Sequence, residues 1–401
     1  MPISSPTAID DSGRANKRAR PQYSVAARLG VILSVGMVIA IVVMVIVDPT
    51  KRSVSAGYMD AAMRFLSHEP LYDPEASRGF LYLPTFAAIY APLSLFGLTV
   101  GDLIWRAFSL GLLAFAMLRV VRQLRPKCED LELYGLALLI GLIGAAGAIR
   151  NGQSTTLLTA MTLLAFDAAY DRRFAKAAAW ATFAIVAKPP GIVVWLLVGG
   201  TRPAALPWLF GCLAIALAIP YAYGDWGYVN MLYAQFVEVI RYISPDMPQG
   251  ESWADFVAIL TALDTPISHL AAYGVRAVAA IATFAVAWWL MRHGDYLRAA
   301  LLPATLACSY MLLFNPRAET NTYILMAVPF GLLAAYMLRE TRQFLAGSVV
   351  VITCVALGTG AMGRWVMDTF NPWSKPLLLI IALVVCAMGL LRIKPNTSTA
   401  R

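Results

Sequence analysis

Three polar knots interrupt an otherwise greasy chain, and they hold most of the residues that could do chemistry. The first carries Asp48, Asp60, Arg64, His68, Glu69 and Asp73, together with Tyr58, Tyr72 and Tyr82. The second is Arg150-Asn151-Gly152-Gln153, and the third is Asn315-Pro316-Arg317-Ala318-Glu319-Thr320-Asn321. Carboxylates can deprotonate a hydroxyl or stabilise a developing cation, whereas arginine and lysine supply the donors that a phosphate needs. A fourth feature, Lys188-Pro189-Pro190, divides two short apolar runs, 177–187 and 191–200. A lysine there is costly if it lies in lipid, and so is a functional candidate, though it could also pair with a carboxylate or reach for the interface. Arg150 and Arg317 fall at the ends of apolar runs, where a plain interfacial anchor is the competing reading. Gln153 opens a run of hydroxyls, Ser154, Thr155 and Thr156, that could equally cap a helix.

Several classes of chemistry are missing. There is no glycine-rich phosphate loop, no zinc-ligand spacing and no serine–histidine–aspartate arrangement, and the chain has only 3 histidines. The 5 cysteines show no paired spacing. The net charge of +9 is scattered over the knots between apolar runs, where basic residues set orientation against a membrane, so it is no nucleic-acid footprint.

These knots must be positioned by membrane helices. The chain is 59% hydrophobic and 14% charged, against about 25% charged in a soluble domain. Apolar runs at 29–47, 103–118, 132–149, 154–170, 204–222, 273–291, 299–316, 322–338, 343–361 and 376–392 are each long enough, or nearly so, to cross a bilayer. The pattern predicts one membrane domain over 29–392, flanked by a disordered tail at 1–28 and a short tail at 393–401. The even number of spans and the basic ends place both termini in the cytoplasm. The three knots then share the outer face, the first in a large loop at 48–78. A second outer loop at 223–272 includes Trp226, Tyr228, Tyr233, Phe236, Val237 and Ile240, which suits an amphipathic segment in the interface. The run 79–97, broken by Pro84 and Pro92, is placed in the interface, because a full span would carry Arg119, Arg122, Arg125 and Lys127 to the outside. The halves around Lys188 read as a hairpin entering from the cytoplasm, which implies a polar cavity at its turn.

Four stretches of this chain resemble glycosyltransferase family 87, of the GT-C superfamily. They are Tyr58-Met59-Asp60-Ala61-Ala62 through Leu71-Tyr72 and Tyr82-Leu83-Pro84; Asn151-Gly152-Gln153-Ser154; Ala187-Lys188-Pro189-Pro190; and Asn315-Pro316-Arg317 followed by Tyr323. The resemblance implies an all-α polytopic membrane fold of about 10 to 13 membrane-embedded helices with a large first extracytoplasmic loop. It implies transfer of mannose, arabinofuranose or a similar sugar from a polyprenyl-phosphate donor to a cell-envelope glycan or glycolipid acceptor, at the outer face of the plasma membrane. Membrane lipids are the other expected partners, nucleic acid is not one, and no cofactor is expected, because the donor phosphate leaves as an anion without a metal. Family members usually carry an aspartate a few residues before the loop tyrosine, but Ser53-Val54-Ser55-Ala56-Gly57 stand before Tyr58. The base is therefore sought first at Asp60, with Arg64 one helical turn on, then at Asp48, then at Glu319. Arg64, Tyr82, Arg150, Asn151, Gln153, Lys188 and Arg317 are the expected donor and phosphate contacts. A transporter or lipid-linked sugar flippase is the alternative, favoured by the broken hairpin but not by any internal repeat, and a non-catalytic scaffold is the third reading.

Overall fold

A computed structural model describes residues 23–51, 53–73, 79–124, 126, 128–243, 253–358 and 364–390. Among them the chain is helix and connecting loop, with no strand. The sequence pattern predicts this of a polytopic membrane protein. The expected C-terminal tail, the first part of the N-terminal tail and parts of both outer loops lie outside the described residues. The helices are α1 (Val25–Val47), α2 (Ser55–Leu66), α3 (Pro84–Ser94), α4 (Gly97–Leu124), α5 (Asp130–Arg150) and α6 (Thr155–Tyr170). Then come α7 (Phe174–Ala187), α8 (Ile192–Thr201), α9 (Leu206–Ala218), α10 (Trp226–Ile243), α11 (Phe256–Ala262) and α12 (His269–His293). The chain ends with α13 (Leu302–Leu313), α14 (Ile324–Arg339), α15 (Phe344–Ala356), α16 (Arg364–Phe370) and α17 (Ser374–Leu390).

Six stretches are long and apolar enough to cross a membrane: α1, α4, α5, 203–222 around α9, α12, and 320–339 around α14. Shorter apolar helices, α6, α7, α8, α13, α15 and α17, complete the bundle. Polar starts punctuate it. The Ser24 hydroxyl accepts from the Ala27 amide to begin α1, and Ser268 does the same for Ala271 at α12. Helix α1 thus starts inside the stretch assigned to a disordered tail, and the Ser24 amide is tied to the Glu132 carboxylate at 2.8 Å.

Helix α5 sets the depth of the bundle. Its 21 residues span about 31 Å, close to the thickness of a hydrocarbon core, and polar contacts gather at its two ends. At the Glu132 end, Arg339 pairs with Glu132, and Arg119 pairs with Asp167 and Asp171. At the Arg150 end, Trp105 and Arg106 of α4 donate to backbone carbonyls of residues 149–152. Helix α4 therefore crosses the same depth as α5. Helix α1 packs on α5 backbone to backbone: a Cβ on Gly135 would stand 2.4 Å from the Ala27 carbonyl oxygen, so only glycine permits that approach.

Helix α3 has 11 residues, about 16 Å, and cannot cross the bilayer. It packs against α2 and the start of α4 at the Arg150 end. Helix α10 is amphipathic there too, with Tyr228, Val229 and Leu232 buried while Trp226, Val237 and Ile240 stay exposed. Helices α6 and α7, joined by three residues and packed along their length, form an antiparallel pair. Lys188, at the end of α7, thus returns toward the end at which α6 begins.

Candidate functional site

The second knot is the hinge on which the site is built. Helix α5 ends at Arg150; the amides of Asn151, Gln153 and Gly152 take the carbonyls of Gly147, Ala148 and Ile149, and the carbonyl of Arg150 is left for a side chain. Arg106, reaching across from α4, donates to the carbonyls of Ile149 and Arg150 at 2.7 Å each. A cation at a helix C-terminus also complements the helix dipole. The same guanidinium pairs with Asp102 at 2.9 Å and donates to the Ser53 hydroxyl at 3.0 Å. Both charges are removed from water, Asp102 at 0% and Arg106 at 5% exposure. Ser55 donates to the same Asp102 oxygen at 2.5 Å, and the Val54 amide donates to the Asn151 carbonyl at 2.9 Å. The segment between α1 and α2 is thus stapled to the end of α5. Gly152, at φ +65°, makes the turn into α6; a side chain there would meet Ser55 Oγ at 2.7 Å and Arg106 Nη2 at 2.9 Å.

From that turn, two residues reach outward. The Gln153 amide donates to Glu319 Oε2 at 2.9 Å, joining the second and third knots across 166 residues of sequence. Ser154 does not cap α6 with its side chain; its hydroxyl donates to the Tyr82 phenol oxygen at 3.3 Å and its amide to the Tyr58 phenol oxygen at 3.3 Å. The two phenols hydrogen-bond to each other at 2.9 Å. Burial raises both above the ordinary tyrosine pKa, and the Glu319 charge pushes the same way. They stay protonated, so they orient partners and do not act as bases. Around them Phe80, Phe86, Tyr90 and Trp105 form a continuous aromatic wall, with neighbouring ring centroids 4.5 to 6.1 Å apart.

The third knot is clamped from the other side. The Ala254 amide donates to the Ala318 carbonyl at 2.7 Å, and the Tyr323 phenol donates to the Ala254 carbonyl at 2.8 Å. This sets the half-exposed Trp253 ring 5.2 Å from the Arg317 guanidinium carbon. Burial lowers the Arg317 pKa while the charge of Glu319 opposes that shift, so a cation and a carboxylate stand together. Lys375, buried at the start of α17, donates to the Thr320 carbonyl at 3.0 Å. Glu319 is therefore half exposed, fixed on both sides in the chain and hydrogen-bonded through its carboxylate. A half-open carboxylate beside an arginine and neutral phenols can take a proton from a hydroxyl while the cation holds an anionic leaving group.

Residues 80–316, more than half of the chain, match glycosyltransferase family 87. The chain belongs to that family. It is accordingly a membrane glycosyltransferase, acting on a sugar donor and an acceptor. No curated protein matches the chain. The family match covers Tyr82, Arg150, Asn151, Gln153 and Lys188; Asp48, Asp60 and Arg64 precede it, and Arg317 and Glu319 follow within three residues.

The expected site residues separate into two groups. Tyr82, Asn151, Gln153, Arg317 and Glu319 come together, with Arg150 at the same helix end. Hydrogen bonds join neither Asp60 nor Asp48 to that group. Asp60 lies on the open face of α2, its side chain 63% exposed and paired with Arg64 at 2.9 Å. Asp48 closes the turn after α1, accepting from the Thr50 hydroxyl and amide and the Lys51 amide, contacts that hold its pKa below the usual carboxylate range. Lys188 ends α7 at partial exposure, with no side-chain partner among the described residues. The sequence reading missed Asp102 and Arg106, although their i,i+4 spacing inside an apolar helix marks an internal pair. It also missed Trp253 and Lys375, for which no local pattern gives a signal.

Proposed function

We propose that this glycosyltransferase moves a sugar such as mannose or arabinofuranose from a polyprenyl-phosphate donor to a cell-envelope glycan or lipid acceptor, at the extracytoplasmic face of the plasma membrane. The observation that carries this reading is the Gln153 to Glu319 hydrogen bond, which brings two separate polar knots into one site beside Arg317 and Tyr82. In an inverting transfer the acceptor hydroxyl oxygen bonds to the anomeric carbon as its proton passes to Glu319. The bond from that carbon to the phosphate oxygen breaks, and its electron pair leaves with the polyprenyl phosphate. Arg317 stabilises the departing anion, with Arg150 and Lys188 as the further cations of the donor path. Gln153 holds the carboxylate in one orientation, and the phenols of Tyr58 and Tyr82 face the sugar. Asp60 and Arg64 form a solvent-facing pair, so Glu319 takes precedence over Asp60 and Asp48 as the base.

The test is transfer of radiolabelled sugar from a panel of polyprenyl-phosphate donors in membranes containing the protein. A general base contributes about 10²- to 10⁴-fold, so Glu319→Gln is expected to lower turnover by that factor. Asp60→Asn is expected to retain wild-type turnover. Loss in Asp60→Asn with an active Glu319→Gln returns the base to the first outer loop, and absence of transfer from every donor refutes the donor class.

A further inference from the structure

At the end of the bundle remote from the site, three helix junctions bring arginines together. Arg202 closes α8 and donates through Nη2 to the Met291 carbonyl at 2.8 Å, which places it beside the end of α12 and Arg292. The turn after Arg202 packs on α7, whose entry carries Arg172 in the left-handed region at φ +57°. The charged groups acting on Arg202 are Arg172 and Arg292, both positive. Its Nε is buried and has no hydrogen-bond partner among the described residues. Carboxylates of this end are engaged elsewhere: Asp167 and Asp171 with Arg119, Asp171 also with Arg173, Glu132 with Arg339, and Asp295 with the Arg298 amide. A half-buried guanidinium repelled by two others, with a free donor, is a site prepared for an anion.

The surroundings decide which anion. Arg292 lies over the Trp288 ring, 3.9 Å from its centroid, and Trp289, Trp208 and Phe210 stand exposed on α12 and α9. Exposed tryptophans beside arginines at the end of a membrane bundle belong at the headgroup level of the bilayer. We propose that Arg172, Arg202 and Arg292 bind the phosphate headgroup of an anionic phospholipid. The site lies at the opposite end from Glu319, so it stands or falls independently of the transfer reaction.

Native mass spectrometry of the full-length protein, released from micelles containing equal phosphatidylglycerol and phosphatidylcholine, tests the site. The wild type is expected to retain phosphatidylglycerol in preference. Arg172→Gln with Arg292→Gln keeps the Arg202 to Met291 bond and the fold, and is expected to reduce that preference about 25-fold, from about fivefold per arginine near an anionic surface. Millimolar inorganic phosphate is expected not to displace the lipid. Equal retention of the two lipids, an unchanged preference in the double variant, or displacement by inorganic phosphate overturns the proposal.

Discussion

Replacing Arg106 by glutamine is predicted to be the most damaging single change outside the reacting groups, and the size of the effect follows from what this guanidinium holds. Arg106 donates to the Asp102 carboxylate, two α5 carbonyls and the Ser53 hydroxyl, all within 3.0 Å. Its removal leaves the Asp102 charge buried at 0% exposure, with the Ser55 hydroxyl its one remaining hydrogen-bond partner among the described residues. Breaking one side of a buried ion pair costs about 3–5 kcal/mol, which is about 150-fold or more in the folding equilibrium. The matching change at the exposed pair, Arg64→Gln, removes an i,i+4 surface contact worth about 0.3–0.5 kcal/mol. Equilibrium unfolding in mixed micelles, followed by thiol labelling of buried Cys308 and Cys354, separates the two. The double replacement Asp102→Leu with Arg106→Met removes both charges and is expected to be less damaging than the sum of its parts, with a coupling of about 1–3 kcal/mol. A loss below about 1 kcal/mol in Arg106→Gln, or strict additivity in the cycle, refutes the staple. Because the same hydrogen bonds fix the turn before Gln153, turnover is expected to fall in Arg106→Gln even where the protein remains folded.

Three other outcomes follow from the same geometry. Gly152→Ala must hold a left-handed backbone, at about 1–2 kcal/mol, and must also displace Ser55 or Arg106; reduced stability and turnover together are expected, and wild-type behaviour in both contradicts the packing. Trp253→Ala removes the ring beside the Arg317 guanidinium and is expected to raise the donor KM more than it lowers kcat, as steady-state kinetics over donor concentration will show. Cys128, pushed up to about 12 by burial and by Glu340, carries about a thousandfold fewer thiolates at neutral pH than an ordinary thiol. In a variant with Cys128 as the sole cysteine, maleimide labelling should be slow at pH 8 and climb about tenfold per pH unit above it, and Glu340→Gln should speed it; fast, pH-independent labelling contradicts the shift.

Periodicity and composition made the helical bundle legible, because a membrane helix declares itself by a long apolar run. That residues 79–97 do not form one full span was legible from Pro84, Pro92 and the basic residues after them, and α3, at 11 residues, is too short to cross. The gathering of the knots was legible as well, since alternate turns of the chain return to the same membrane face. Which carboxylate joins the group was not legible. Asp60 sits two residues beyond Tyr58, and on a helix that step turns the side chain about 200° away, so a residue near in sequence faces solvent while Tyr58 faces inward. Glu319 reaches Gln153 from 166 residues away, a pairing that no local spacing announces. Lys375 acts on the Thr320 carbonyl, and the Trp253 ring is brought to Arg317 by backbone bonds of its neighbour Ala254 to Ala318 and Tyr323; such backbone contacts leave no mark in residue type.

The departure before Tyr58 has a physical reading. Where the family usually carries its acidic residue, this chain carries Ser53 and Ser55, and both serve the staple: Ser53 accepts from Arg106, and Ser55 donates to Asp102. An aspartate at either position would bring a second carboxylate against Asp102 for a single arginine, a like-charge contact in a buried site. The segment is thereby committed to holding the end of α5, and a base must come from elsewhere. The restraints on Glu319, the base proposed above, are separate from that staple: Gln153 on one side, and on the other the backbone ties that Ala254, Tyr323 and Lys375 make to its loop. Loss of the loop aspartate is then compatible with an active enzyme, provided that the carboxylate of Glu319 and the cation of Arg317 face the same bound donor.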